Sequence, residues 1–113
     1  KRQVHAHGDA HLFIDDYLQY PMDVLNWSDR ITGLSLRDVR AKKPGLCLMG
    51  GIHERGPIVS GDLVAAETEI KDALGQTGGR GFILANGCSI PDDSDDTRLA
   101  AWADLARRLG QRS

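Results

Sequence analysis

The sequence has few cysteines, no excess of charge of one sign and no long apolar run. Its two cysteines, Cys47 and Cys88, are too few for a disulfide framework, so we expect a reducing, cytoplasmic setting. Its 14 basic and 16 acidic residues nearly balance, which argues against nucleic acid or an anionic membrane surface as a partner. No apolar run approaches the roughly 20 residues that a membrane span needs, so we expect no membrane association.

Length and composition are those of one small globular domain. The chain has 113 residues, of which 41% are hydrophobic and 27% are charged. Residues 1–113 are therefore expected to form a single domain. The sequence begins with Lys1 rather than Met, almost directly before the first predicted strand, and this predicts a truncated or processed piece of a longer protein.

Short apolar runs alternate with amphipathic stretches along the whole sequence. The predicted strands are 3–7, 22–27, 45–52 and 81–88, and the helical patterns that follow them are 10–20, 35–43, 60–79 and 95–110. Four strand–helix units in a row indicate an α/β fold with a parallel sheet and right-handed crossovers. An open four-stranded sheet and part of a closed barrel both fit, and a complete barrel of about 250 residues would need twice this length.

Several helix boundaries can be predicted from the sequence. Ser35, with Asp38 three residues later, resembles a capping box, and either Ser60 or Asp62 can begin the third helix. The positions expected to face the core are Leu63, Ala66, Ile70 and Leu74 in the third helix, and Leu99, Trp102, Leu105 or Ala106, and Leu109 in the fourth.

Unusual polar residues follow the first and fourth predicted strands, where parallel α/β folds place their working groups. His5 and His7, in "HAHGD", point to the same side because side chains alternate along a strand. Cys88, in "ANGCSIPDD", closes the fourth strand. Two imidazoles and a thiolate at one edge would suit zinc with an open coordination position. The alternatives are hydrogen-bonded core histidines and a small buried cysteine in a turn.

Other candidates are open to more than one interpretation. His53 and Glu54, in "GGIHERG", could be ligands or acid–base groups, or simply part of a solvated loop. Cys47 lies in the apolar run "GLCLMG" and is predicted to be a core residue. Asn26 and Trp27 end the second strand and are expected to form a wall of the pocket.

Four segments, "VHAHG", "DVLNW", "LCLMGGI" and "GRGFILANGCSIPDD", resemble the C-terminal half of the uroporphyrinogen decarboxylase superfamily, in the family's order and spacing. The resemblance runs from Val4 through the final helix. It implies that the chain supplies the last four strand–helix units of a TIM-type (β/α)8 barrel.

The resemblance implies one of two activities on a small-molecule substrate. Uroporphyrinogen decarboxylase, a cofactor-free lyase of porphyrin synthesis, has a histidine at the position of Cys88. The methyltransferase branch, which passes a methyl group from a corrinoid protein to a thiol such as coenzyme M, carries zinc on residues that match His5 and Cys88. His7 stands where that branch has a cysteine. This departure predicts a site with less thiolate and a stronger Lewis acid, which argues against a coenzyme M-type substrate.

For the methyltransferase, the resemblance implies zinc held by His5, His7 and Cys88, and thiol activation by that zinc. His5, Cys88 and Glu54 are the expected catalytic residues, and Glu54, Asp29 or His53 could orient the substrate or support the metal ligands.

The resemblance places the family's other catalytic groups in the N-terminal half of the barrel. Apolar residues such as Leu25 and Leu48 are expected to lack partners, so a missing half or a second chain must close the barrel. We expect the isolated 113 residues to be inactive, and a non-catalytic fragment remains the other alternative.

Overall fold

The computed structural model describes residues 1–8 and 13–110. Its four strands are β1 (Gln3–Ala6), β2 (Val24–Trp27), β3 (Cys47–Ile52) and β4 (Phe82–Asn86). They form one parallel sheet in the order β1-β2-β3-β4. The four predicted strands are therefore confirmed, each with its ends trimmed by one or two residues.

Helices connect successive strands, as parallel pairing requires. Their bounds are α1 (Ile14–Tyr17), α2 (Asp29–Thr32), α3 (Leu36–Lys42), α4 (Pro57–Ser60), α5 (Leu63–Thr77) and α6 (Asp96–Gly110). An α/β sheet of this kind is consistent with part of a TIM-type barrel. None of the helices in the described residues is long and apolar enough to cross a membrane.

Two features of the helices differ from the sequence prediction. Helices α2 and α4 were not predicted, because four residues are too few to show a helical period. The helix predicted over 10–20 is limited to α1 within the described residues, and its residues 10–12 lie outside them.

The predicted caps are present where they were expected. The Ser35 hydroxyl accepts a hydrogen bond from the Asp38 amide at 3.1 Å, and the Asp38 carboxylate accepts one from the Ser35 amide at 3.0 Å, which completes a capping box. Asp62 caps α5 by accepting from the Ala65 amide at 3.1 Å, while Ser60 ends α4. Of the two alternatives for α5, Asp62 is therefore the N-cap.

The helices cover one face of the sheet. Leu25, Trp27 and Leu48 are fully buried in an apolar cluster with Leu36 and Val39 of α3. The expectation that Leu25 and Leu48 lack partners is therefore wrong, because their rows of the sheet face the helices rather than the opposite side. Trp27 is likewise a core residue and not a pocket wall, and its indole N–H donates to the Leu34 carbonyl at 2.8 Å.

A second apolar cluster lies at the end of β3. It contains Ile52, Ile58, Ala66, Ile70, Leu105 and Leu109, with Leu74, Leu99, Trp102 and Ala106 packed against it. Most of the predicted core positions of α5 and α6 are thus confirmed. Leu63 is the exception, since it is 41% exposed at the first turn of α5, where it borders an open cavity between α5 and α6.

The other face of the sheet carries a different row of side chains. His5, Asn26, Met49 and Ile83 are successive partners across the four strands. Because side chains alternate along a strand, this row points away from the helix layer. Ile83 is 43% exposed there and His5 is also exposed, so we call it the open face.

Candidate metal centre

Three of the predicted ligands come together at the carboxyl edge of the sheet. His5 lies in β1, His7 follows that strand directly, and Cys88 lies in the loop after β4. One donor atom from each of the three residues lies within 4.8 Å of the other two. The Cys88 Sγ is 3.7 Å from the His7 Nδ1, and the two imidazole centroids are 6.0 Å apart.

Curvature of the sheet helps to explain this convergence. β1 and β4 are the outermost strands of the described sheet, with β2 and β3 between them. Strands spaced by about 4.8 Å would put the outer two about 14 Å apart in a flat sheet. A sheet that bends like a segment of a barrel wall, together with the reach of the loops and side chains, brings the donors within 4.8 Å.

The donor set fits zinc. Bond lengths of about 2.0–2.1 Å to nitrogen and about 2.3 Å to sulfur place tetrahedral ligand atoms about 3.4–3.6 Å apart. The 3.7 Å between Cys88 Sγ and His7 Nδ1 is close to that value. His5 and His7 are exposed and Cys88 is half-buried. Three protein donors at an accessible edge leave room for a fourth ligand, as catalytic zinc sites do.

Side-chain amides hold the His5 ring. His5 Nδ1 is 2.6 Å from Asn26 Oδ1. The Asn26 Nδ2 donates to the Met49 carbonyl at 2.8 Å and to the Asn86 carbonyl at 3.2 Å. The Asn86 side chain in turn donates to the Cys88 carbonyl. Asn26 therefore lines the site, as expected, but it also joins β2 to three other strands.

Two cavities meet at the three ligands. One, of about 350 Å³, lies on the open face and is lined by His5, Asn26, Met49, Ala85, Asn86, Cys88 and Ser89. The other, of about 190 Å³, is lined by His7, Gly8, Ser28, Ile31, Glu54, Arg55, Cys88 and Ser89. Because Cys88 and Ser89 border both cavities, a small molecule has room on either side of the sulfur.

Glu54 is a carboxylate of the smaller cavity. It is only 3% exposed, and its Oε2 accepts a hydrogen bond from the Ser28 hydroxyl at 3.1 Å. A Cβ on Gly87 would lie 3.2 Å from that oxygen and 2.7 Å from the Trp27 carbonyl. Glycine at this position therefore lets the loop carrying Cys88 pass close to Glu54. The Glu54 oxygens are not among the donors that converge, so it is a neighbour of the ligands rather than one of them.

Two other candidates lie elsewhere. The Asp29 carboxylate accepts from the Gly51 amide at 2.9 Å, and a Cβ on Gly50 would lie 2.7 Å from its Oδ1, which places Asp29 against the strand backbone. The His53 Nδ1 accepts from the Arg55 amide at 3.0 Å and closes a turn. Neither borders the two cavities at the ligands, and their role in orienting a substrate or supporting the ligands stays a prediction.

Three further residues, Cys47, Asn86 and Ser28, differ from the sequence prediction. Cys47 is half-buried rather than fully in the core. It begins β3 beside Val24, and its side chain is on the same side of the sheet as Met49, which is the open face. The amide of Asn86 and the hydroxyl of Ser28 were not predicted to be site groups. Their signal was their position at or just after the carboxyl ends of β4 and β2, the rule that had selected His5 and Cys88.

A comparison with protein families identifies the chain at the level of its family. The family model described as Uroporphyrinogen decarboxylase (URO-D) matches residues 1–109. The chain belongs to the URO-D family. No curated protein and no solved structure matched the chain. URO-D membership agrees with the four-stranded parallel sheet and supports an enzyme of this superfamily or a fragment of one.

Proposed function

We propose that this URO-D chain is the C-terminal half of a zinc-dependent methyltransferase, which passes a methyl group from a corrinoid protein to a small thiol. The observation that carries the proposal is the convergence of donor atoms from His5, His7 and Cys88 within 4.8 Å. A decarboxylase that uses no cofactor has no need of such a cluster. In the resemblance, the position of Cys88 is also the one that separates the two branches.

The chemistry of the donors supports zinc over harder metals. Thiolate and imidazole suit zinc, whereas magnesium and calcium take oxygen ligands. When bound, zinc would lower the pKa of a thiol substrate and so supply a thiolate at neutral pH.

The chain's own residues would bind and orient that thiol. His5, His7 and Cys88 would hold the zinc at the shared border of the two cavities, where a thiol can enter. Glu54 would accept the thiol proton, since it is the buried carboxylate of the smaller cavity and is held by Ser28. Arg55 lines the same cavity and would attract an anionic tail on the thiol.

The open face would be covered in the working enzyme. Ile83 is 43% exposed and the neighbouring Met49 is half-buried, so apolar area would be removed from water by a second unit. The other half of the barrel, or a second copy of this chain, would provide that cover and the remaining catalytic groups. We therefore expect the isolated 113 residues to bind metal without turning over substrate.

Metal analysis after equilibrium dialysis against Zn²⁺ tests the proposal. We expect one zinc per chain, lost in Cys88→Ser and retained in Cys47→Ser, which removes the other cysteine of the sequence. Cobalt in place of zinc should give a sulfur-to-metal absorption band that disappears only with Cys88→Ser. A wild-type chain that takes up no zinc but binds a tetrapyrrole would overturn the proposal in favour of the decarboxylase.

A further inference from the structure

We propose that Asn26 and Asn86 preset the metal ligands, with Asn26 selecting the His5 tautomer whose lone pair is on Nε2. The inference rests on the proposed metal site for its purpose, but its geometry concerns only the chain. Both asparagines are positioning residues, since they act on His5 and Cys88 rather than on a substrate.

The orientation of the Asn26 amide follows from its neighbours. Asn26 is only 8% exposed, so its polar atoms need partners inside the protein. On one side it faces the backbone carbonyls of Met49, at 2.8 Å, and Asn86, at 3.2 Å. A backbone carbonyl can only accept, so the NH₂ group must lie on that side. The Oδ1 is then left facing His5.

That orientation decides which nitrogen of a neutral His5 ring carries the hydrogen. The Asn26 Oδ1 has no hydrogen to donate, and His5 Nδ1 lies 2.6 Å from it. A contact this short is favourable only if Nδ1 carries the hydrogen and donates it. In a neutral imidazole the lone pair is then on Nε2, the nitrogen left for a metal. Hydrogen bonds of this kind orient ligating histidines in metal sites and raise their basicity.

Asn86 extends the same hydrogen bonds to Cys88, the ligand in the loop after β4. Its backbone carbonyl accepts from Asn26, and its side chain donates to the Cys88 carbonyl. An unbroken series of hydrogen bonds therefore runs from His5 through Asn26 and Asn86 to Cys88. It connects two ligands that lie far apart in the sequence and so lowers the ordering required when the metal binds.

Nitrogen NMR of the metal-free wild-type chain tests the tautomer without a variant. Long-range ¹H–¹⁵N correlation on histidine-labelled protein, at mildly alkaline pH, should show a protonated Nδ1 and an unprotonated Nε2 for His5. The His5→Gln variant assigns the signals by their loss. A protonated Nε2 and bare Nδ1 would overturn the inference. This readout needs no zinc, so it can succeed or fail independently of the proposed function.

Two substitutions separate positioning from a merely structural role. Asn26→Leu removes both the acceptor for His5 and the two donors, whereas Asn26→Asp removes the donors and keeps the acceptor. We expect Asn26→Leu to weaken zinc binding by about 10- to 100-fold, and Asn26→Asp to bind within a few-fold of wild type. Equal weakening in both variants, each shown to be folded by circular dichroism, would mean that Asn26 only holds strands together.

Discussion

The two faces of the sheet have different roles, since one forms the core with the helices and the other carries residues of the candidate site. On the face covered by helices, Leu25 and Leu48 are fully buried. On the open face, one residue further along the same strands, Asn26 and Met49 occupy the corresponding places, and Ile83 is 43% exposed. Because side chains alternate, a single strand can stabilise the fold with one set of residues and build a site with the other.

The largest predicted effect contrasts one residue from each face. Leu48→Ala should lower the free energy of unfolding by about 2–5 kcal/mol, because it leaves a cavity among packed side chains. Ile83→Ala should lower it by less than about 1 kcal/mol, because its side chain is already partly in water. Urea unfolding followed by circular dichroism measures both.

The same pair of variants also reports on what covers the open face. If Ile83→Ala costs as much as Leu48→Ala, then Ile83 is buried in solution by a second chain. Size-exclusion chromatography of the wild type would then show a dimer. A small cost together with a monomer would mean that the isolated chain leaves this face in water.

A second prediction concerns two carboxylates that both lie near Arg30. Burial raises the pKa of Asp29 above its ordinary value of 3.8, despite its hydrogen bond from the Gly51 amide. The hydrogen bond from Arg30, at 2.6 Å, lowers the pKa of Asp72, which is more exposed. The two groups should therefore affect stability in opposite senses as the pH changes.

For Asp29, the stabilising contribution is present below the unfolded pKa and is lost as the pH rises through the folded pKa. Asp29→Asn should accordingly gain on wild type as the pH rises from about 4 toward neutrality, by about 1.4 kcal/mol for each tenfold difference in proton affinity between the folded and unfolded states. Asp72 contributes above its unfolded pKa and loses that contribution as the pH falls through its folded pKa. Asp72→Asn should be the less stable protein near neutrality and approach wild type in acid.

Urea midpoints of the three proteins across this pH range check both signs. Parallel curves for Asp29→Asn and wild type would contradict the raised pKa of Asp29.

The smallest predicted effect lies at the start of α3, which supplies Leu36 and Val39 to the covered face. Ser35→Ala removes the side-chain acceptor of the capping box and should cost about 1 kcal/mol. Ser35→Asp keeps an acceptor at the N-cap and should remain within a few tenths of a kcal/mol of wild type. Thermal unfolding distinguishes them, and equal melting temperatures for both variants would contradict the role of the cap.

The fold was largely predictable from the sequence because its signals are local. Alternating apolar runs and amphipathic stretches predicted all four strands, and the Ser35 and Asp38 pair predicted a helix start to the residue. What failed depended on contacts between elements. Leu63 has the spacing of a core residue, yet it is 41% exposed because α5 and α6 leave an open cavity at this point. Trp27 was assigned to the wrong face together with Asn26, although neighbouring residues of a strand point to opposite sides.

The metal ligands could be proposed from the sequence, but their support could not. His5, His7 and Cys88 are residue types that bind zinc, and they lie near the carboxyl ends of the predicted first and fourth strands. Nothing in the letters "LNW" distinguishes Asn26 from a wall residue. Its role depends on two carbonyls from β3 and β4 that reach it only once the strands are in register.

The convergence of the outermost strands carries a consequence beyond chemistry. An ion held by His5, His7 and Cys88 would connect β1 to the loop after β4, and so stabilise the curvature of the sheet. By reciprocity, whatever rolls the sheet more tightly would raise the affinity for the ion, and whatever flattens it would release the ion. Closure of the barrel and binding of the ion at the ends of its strands would then be coupled in a single equilibrium.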